Sequence, residues 1–195
     1  ELTLGERATY MRADIGRYEV LPAHTRGTMS EDWFNMCGQA RLAYHIVDDR
    51  WLVYASLSQA YRAPGLSDLT RFDASSSGNY VETPTTGLSP ERYLCGELGT
   101  RVNADPVTWH LAYFYTRIND QIIRMKLTPG GNTYTKLNAG AGYVHGVENE
   151  VSVRLSRQWS ARAGATWVEG WVDYTDAATS AEVQEPIRTM RLTAD

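Results

Sequence analysis

Runs of alternating apolar and polar residues recur along the chain, and the connections between them alternate long and short. A period of two places successive side chains on opposite faces of a β-strand. Seven such strands are legible, at 2–12, 35–47, 50–61, 91–103, 107–118, 133–155 and 159–174, and an eighth opens at Pro186-Ile187. Tight turns fall at Asp48-Asp49, Ala104-Asp105-Pro106 and Ser156-Arg157-Gln158. Long polar connections occupy 13–33, 62–89, the stretch around Pro129-Gly130-Gly131-Asn132, and 176–185. A soluble sandwich has no reason to keep that order. A transmembrane barrel does, because its short turns lie on one side of the membrane and its long loops on the other. The strands also exceed the roughly 5–6 residues usual in globular sheets, and no stretch carries a convincing helical pattern.

The two faces fit a wall between lipid and water. In the third strand Trp51, Val53, Ala55, Leu57 and Tyr61 share one face, and Tyr54, Ser56, Ser58 and Arg62 the other. The chain holds 12 Tyr and 6 Trp against 3 Phe, a balance suited to an oil–water boundary. Trp51, Trp109 and Trp159 sit beside short turns, whereas Tyr61, Tyr113, Tyr115, Tyr143 and Trp171 lie toward the long loops, giving two girdles. Glu6, Asn149 and Glu169 break the pattern by falling on apolar faces. No apolar run is long enough for a transmembrane helix, but a barrel strand needs only about 9–11 alternating residues. The net charge of −4 leaves no nucleic-acid footprint. Cys37 and Cys95 project from strands that are not neighbours and lack metal-ligand spacing, so neither a disulfide nor a zinc site is expected. The chain opens at Glu1 on an alternating segment and stops at Asp195 soon after a strand begins, which reads as a fragment.

Five segments in order, YASLSQAYRAPGLSDL at 54–69, LSPERYLCGELGTR at 88–101, AYFYTRINDQI at 112–122, YTKLNAGAGYVHGVENEVSVRL at 134–155 and PIRTMRLTAD at 186–195, resemble landmarks of the TonB-dependent outer-membrane receptors. The sequence departs from the family's pattern at ETPTTGLSPE, where an Asn-Pro step is usual, and at Cys95, where an aromatic residue or Asn is frequent. The resemblance implies an all-β, antiparallel transmembrane barrel of 22 strands around a plug. Residues 1–195 would supply seven or eight strands toward the C-terminal half of that wall, without the plug, its TonB-binding segment or the last strands. It also implies residence in the cell outer membrane, contact with its lipid, TonB as partner, and import of a scarce nutrient such as a ferric siderophore. No cofactor and no enzymatic activity are expected.

Candidate residues follow from register. Arg62, Glu97, Arg101, Glu148, Glu150 and Arg154 face the lumen, where they would pair with each other or with the plug; for Arg62 a plug carboxylate is the favoured partner. Glu148 and Glu150 share a face, but read as part of a wall network rather than a catalytic pair. Ligand candidates are Arg71, Phe72, Asp73 and Tyr80 in the longest loop and Arg124 and Lys126 near the next, since aromatics with cations suit an anionic chelate. The four histidines are scattered without metal-ligand spacing. A passive porin, a small closed barrel, and a soluble β-sandwich binding module remain as alternatives. A porin would conduct without a plug, and a sandwich would lack sorted girdles.

Overall fold

The computed structural model describes residues 1–20, 25–70, 73–74 and 80–194. They form one ten-stranded sheet. Its wall consists of β1 (Leu2–Val20), β2 (Thr25–Val47), β3 (Trp51–Arg62), β6 (Glu91–Ala104), β7 (Val107–Lys126), β8 (Thr133–Arg154), β9 (Ser160–Thr175) and β10 (Glu182–Ala194), each antiparallel to the next. The connection between β3 and β6 carries a short helix, α1 (Leu66–Thr70), and two-residue strands β4 (Asp73–Ala74) and β5 (Val81–Glu82). β5 runs parallel to the start of β8, pairing Val81 with Thr133 and Glu82 with Tyr134.

The expected strands are present, and the differences concern their loop ends. β1 reaches Val20 and β2 begins at Thr25, so most of the expected connection at 13–33 is a continuous ladder, with Ala13 opposite Glu31 and Asp14 opposite Ser30. Likewise β7 continues to Lys126 rather than stopping at Ile118. These extensions rise beyond the height of a bilayer, so the apolar alternation that marks a membrane strand has no reason to persist in them. Polar pairing replaces it: Arg12 Nε and Ser30 Oγ both donate to Asp14, at 3.1 and 2.8 Å. β10 begins at Glu182, four residues before Pro186, which stands opposite Trp171.

One face of the wall exposes large apolar side chains, among them Leu4, Phe34, Met36, Leu42, Leu57, Leu98, Tyr113, Tyr115 and Trp167. The opposite face carries hydrogen-bonded polar groups. Asn149, out of place on the apolar face, accepts from Trp109 Nε1 at 2.7 Å and so satisfies both side chains near the short-turn end. Glu169 stands opposite His145 in a cluster of Tyr113, Tyr115, Tyr143 and Trp167. Cys37 and Cys95 are free thiols.

The apolar core lies at the long-loop end, on the polar side of the wall. Leu69 of α1 is fully buried with Leu88, Met29 and Trp33, flanked by Ala13, Ile15, Tyr18, Ala63 and Ile122. The β3–β6 connection is therefore a strap laid across the wall. Trp33 Nε1 donates to Leu88 O at 2.9 Å, and the Gly87 amide donates to Glu31 Oε1 at 2.9 Å, tying the strap to β2. On the other side, the Thr83 amide donates to Tyr134 O, Asn138 brackets Ser89 through both its amide atoms, and the Thr85 and Thr135 hydroxyls meet at 2.6 Å, tying it to β8.

Candidate functional site

The strap begins with a capped helix. The Gly65 amide donates to Asp68 Oδ2 at 3.0 Å, while Asp68 N and Leu69 N return to Gly65 O, one half of a capping box formed by an Asp at the third helical position. This fixes the Asp68 carboxylate beside the foot of β3. Arg62 at that foot sends Nε and Nη2 to Glu91, both at 2.7 Å, and Nη1 to Asp68 at 2.7 Å. Glu91 is buried and also accepts from Tyr93 Oη and from the Ile122 amide. Arg62, expected to meet a plug carboxylate, thus has its planar fork engaged within the wall itself. The reason is that the strap returns the chain to the strand beside β3, bringing Glu91 directly opposite Arg62.

The ionic chain continues outward. Asp68 accepts from Lys136 Nζ at 3.0 Å; Lys136 approaches buried Glu82 at 3.8 Å; Glu82 Oε2 holds Arg124 Nε at 2.9 Å. Burial pushes the Asp68 carboxyl up, but the Gly65 amide, Lys136 and Arg62 outweigh it and hold the group below the usual aspartate value. Arg124 also sits in the corner of two rings that meet edge to face, 4.9 Å from the centroid of Tyr80 and 4.1 Å from that of Tyr134. Lys126 Nζ stands 5.8 Å from the centroid of the Tyr134 ring. Three expected ligand residues, Tyr80, Arg124 and Lys126, are therefore brought together, joined by Tyr134. Arg71 and Phe72 lie outside the described residues, and Asp73 is a backbone partner of Glu82.

Lower on the polar face a second group forms. Tyr54 Oη donates to Glu97 at 2.5 Å and meets His110 Nε2 at 3.0 Å; the two rings stack, and Arg41 covers Tyr54 at 4.8 Å. Gly99 makes room: a Cβ there would stand 2.4 Å from the Tyr54 ring. Arg101 and Glu150 both stand opposite His110, from β6 and β8 respectively, and Arg162 approaches Glu150 at 3.6 Å. Glu148 stands opposite Ala112 and Thr166. Arg154 is at the short-turn end, paired with Asp105. Among the described residues no group of three His, Cys, Asp or Glu side chains converges as a metal site.

Tyr54, Asp68, Glu82, Glu91, His110, Tyr134 and Lys136 carry these clusters and were not singled out by sequence. His110 and Tyr54 were legible as polar-face residues, and register would have set them near Glu97. The ionic chain needed the path of the strap, which no periodicity encodes.

The profile described as "TonB dependent receptor-like, beta-barrel" matches residues 1–194. The chain belongs to the TonB-dependent receptor β-barrel family. It is 31% identical over 145 residues to the pesticin receptor of Yersinia enterocolitica, an alignment covering 71% of this chain and 18% of that protein. The pesticin receptor of Yersinia pestis matches with the same identity and coverage. The chain therefore spans less than a fifth of the curated relatives it matches. The fold is similar to that of the siderophore receptor PirA from Pseudomonas aeruginosa, with a TM-score of 0.60 and 19% identity over 98% of this chain and 41% of that one. It is equally similar to the ferric yersiniabactin uptake receptor FyuA from Yersinia pestis, with a TM-score of 0.60 and 19% identity over 95% of this chain and 30% of that one. Within this family of transporters and receptors, the wall described above is part of the β-barrel.

Proposed function

We propose that this barrel segment belongs to an outer-membrane receptor that takes up a scarce nutrient by TonB-driven transport, with a ferric siderophore as cargo. TonB would act through a plug segment outside residues 1–195. The observation that carries the cargo class is Arg124 set in the corner of the Tyr80 and Tyr134 rings with Lys126 near Tyr134, placed where the strap meets the extended β7–β8 rim. A cation held against two rings offers charge and an aromatic surface together, which suits an anionic chelate with aromatic or planar ligand groups. Arg124 is held in place by Glu82, so little side-chain entropy remains to be lost on binding. The charge network below it reads as a wall scaffold and not as a reaction centre.

The test uses the full-length receptor in cells lacking other iron receptors, supplied with labelled ferric siderophores, haem and cobalamin. Uptake of at least one ferric siderophore that stops on removal of TonB is expected. Tyr134→Ala should weaken binding of that siderophore by about fivefold, the worth of one exposed cation–π contact of ~1 kcal/mol. Uptake confined to haem or cobalamin would overturn the cargo class, and uptake indifferent to TonB would overturn the mechanism.

A further inference from the structure

The ladder between β2 and β3 stops halfway up the wall. It runs from Val47 opposite Trp51 to Gln39 opposite Ser58 and goes no further, although β3 stays paired with β6 up to Arg62 and β2 stays paired with β1 up to Thr25. The Gly38 amide, without a backbone partner on β3, takes the side-chain oxygen of Gln59 at 3.2 Å. Above this point the strands part, and the seam opens as a cleft of about 650 Å³ lined on the apolar face by Leu4, Met36, Ala40, Leu57 and Leu94. A second cleft of about 370 Å³ continues upward from it, sharing Met36 and Leu94 and ending at Arg92 and Asn119.

The upper end is basic. Glu91 and Tyr93 bond to each other on the polar face, so Arg92 between them points to the apolar face. Arg117 points the same way, opposite Leu94 on one side and Tyr143 on the other. Both arginines are exposed, and neither has a carboxylate partner among the described residues. Their height is that of a lipid headgroup. Arg117 lies eight residues along β7 from Trp109, about 27 Å of strand at ~3.4 Å per residue, or about 20 Å of height at a tilt of ~40°. Arg92 stands opposite Asn119, two residues higher. An outer-membrane barrel has an apolar band about 25 Å tall. Glu6 lines the lower cleft from β1, so an anion belongs at the upper end, away from it.

We propose that this seam is a binding site for a phosphorylated lipid of the outer leaflet, with an acyl chain in the β2–β3 cleft and a headgroup phosphate on Arg92 and Arg117. A slot apolar on its outward wall, with Arg92 at its upper end and Arg117 one strand beyond at headgroup height, matches an amphiphile with an anionic head. Neither a free anion nor an uncharged chain would use both parts.

The test is native mass spectrometry of the full-length receptor in detergent, titrated with bisphosphorylated lipid A, with its dephosphorylated form, and with inorganic phosphate. Retention of the phosphorylated lipid is expected, with about fivefold loss for Arg92→Gln or Arg117→Gln and about thirtyfold for both, each basic residue at an anionic surface being worth ~1 kcal/mol. Arg157→Gln in a short turn should leave retention unchanged. Gly38→Leu probes the chain separately: a Cβ at Gly38 has space, meeting only Gln59 Oε1 at 3.8 Å and Gly5 O at 4.0 Å, so the side chain can fill the cleft and should also reduce retention. Equal retention of the dephosphorylated lipid, full competition by inorganic phosphate, or an unchanged double arginine variant would each overturn the proposal.

Discussion

Replacing Glu91 by Gln keeps the size of the side chain and an acceptor for the Ile122 amide, but removes the charge that grips Arg62. In the native wall Glu91 receives two guanidinium bonds of 2.7 Å while nearly all its surface is buried. Bonds to a charged partner contribute about 1.5–3 kcal/mol each. Two considerations lower the sum. The Arg62 side chain is 45% exposed, so water competes for it, and it keeps Asp68 as a partner. A net loss of about 2 kcal/mol follows, roughly a thirtyfold shift toward the undocked strap. Hydrogen exchange of the full-length receptor would read this locally, at the Thr85, Gly87 and Ser89 amides, which are bonded to Leu69, Glu31 and Asn138 in the docked strap. Their exchange should accelerate by about thirtyfold while amides in the middle of β6 and β7 stay protected. Acceleration below about threefold at these three amides would mean that the ion pair does not hold the strap, and that the apolar cluster around Leu69 suffices.

Asp68 makes the same docking dependent on pH. Its carboxyl is held below the ordinary aspartate value, so its contribution is complete above the unfolded value of about 3.9 and fades as pH falls through the folded one. Proteolysis of the strap should therefore be slow at neutral pH and rise only in the acid range, and Asp68→Asn should raise the neutral rate and flatten the profile. Gly99→Val should drive Cβ into the Tyr54 ring, costing about 1–3 kcal/mol and lowering the thermal transition of the full-length receptor; an unchanged transition would contradict the packing of Tyr54 over Gly99.

The wall was legible because a membrane strand is simple physically: apolar on one side, wet on the other, with rings at the boundaries. Trp51 through Leu57 and Val107 through Tyr115 state that pattern directly, and they lie in β3 and β7 as read. Outside the bilayer both faces meet water and the pattern fades, which is why the ladder of Ala13 with Glu31 looked like a loop. The strap was illegible for another reason. Its partners are remote in sequence, Leu88 with Trp33 and Thr85 with Thr135, and its polar anchors are chosen by shape rather than by spacing. Tyr80, Arg124 and Lys126 stand out in the sequence because a loop ring and a cation signal by type alone, and the structure brings them together. Glu82, which holds Arg124 in place, and Lys136, which approaches Glu82, carry no such signal.

The strap reaches from β2 to β8 across the three strands between them, touching β3 and β7 through side chains on the way. Geometrically it is a chord drawn across an arc. A sheet that closes into a barrel can flex at its rim, because neighbouring strands are hinged along their ladders, and here one hinge is already open between β2 and β3. A chord of fixed length removes that freedom: the arc cannot flatten without stretching it or tighten without slackening it. Its anchors at Trp33 and Asn138 thus set the local radius of the rim. Releasing the strap would change the width of the mouth as well as uncover it.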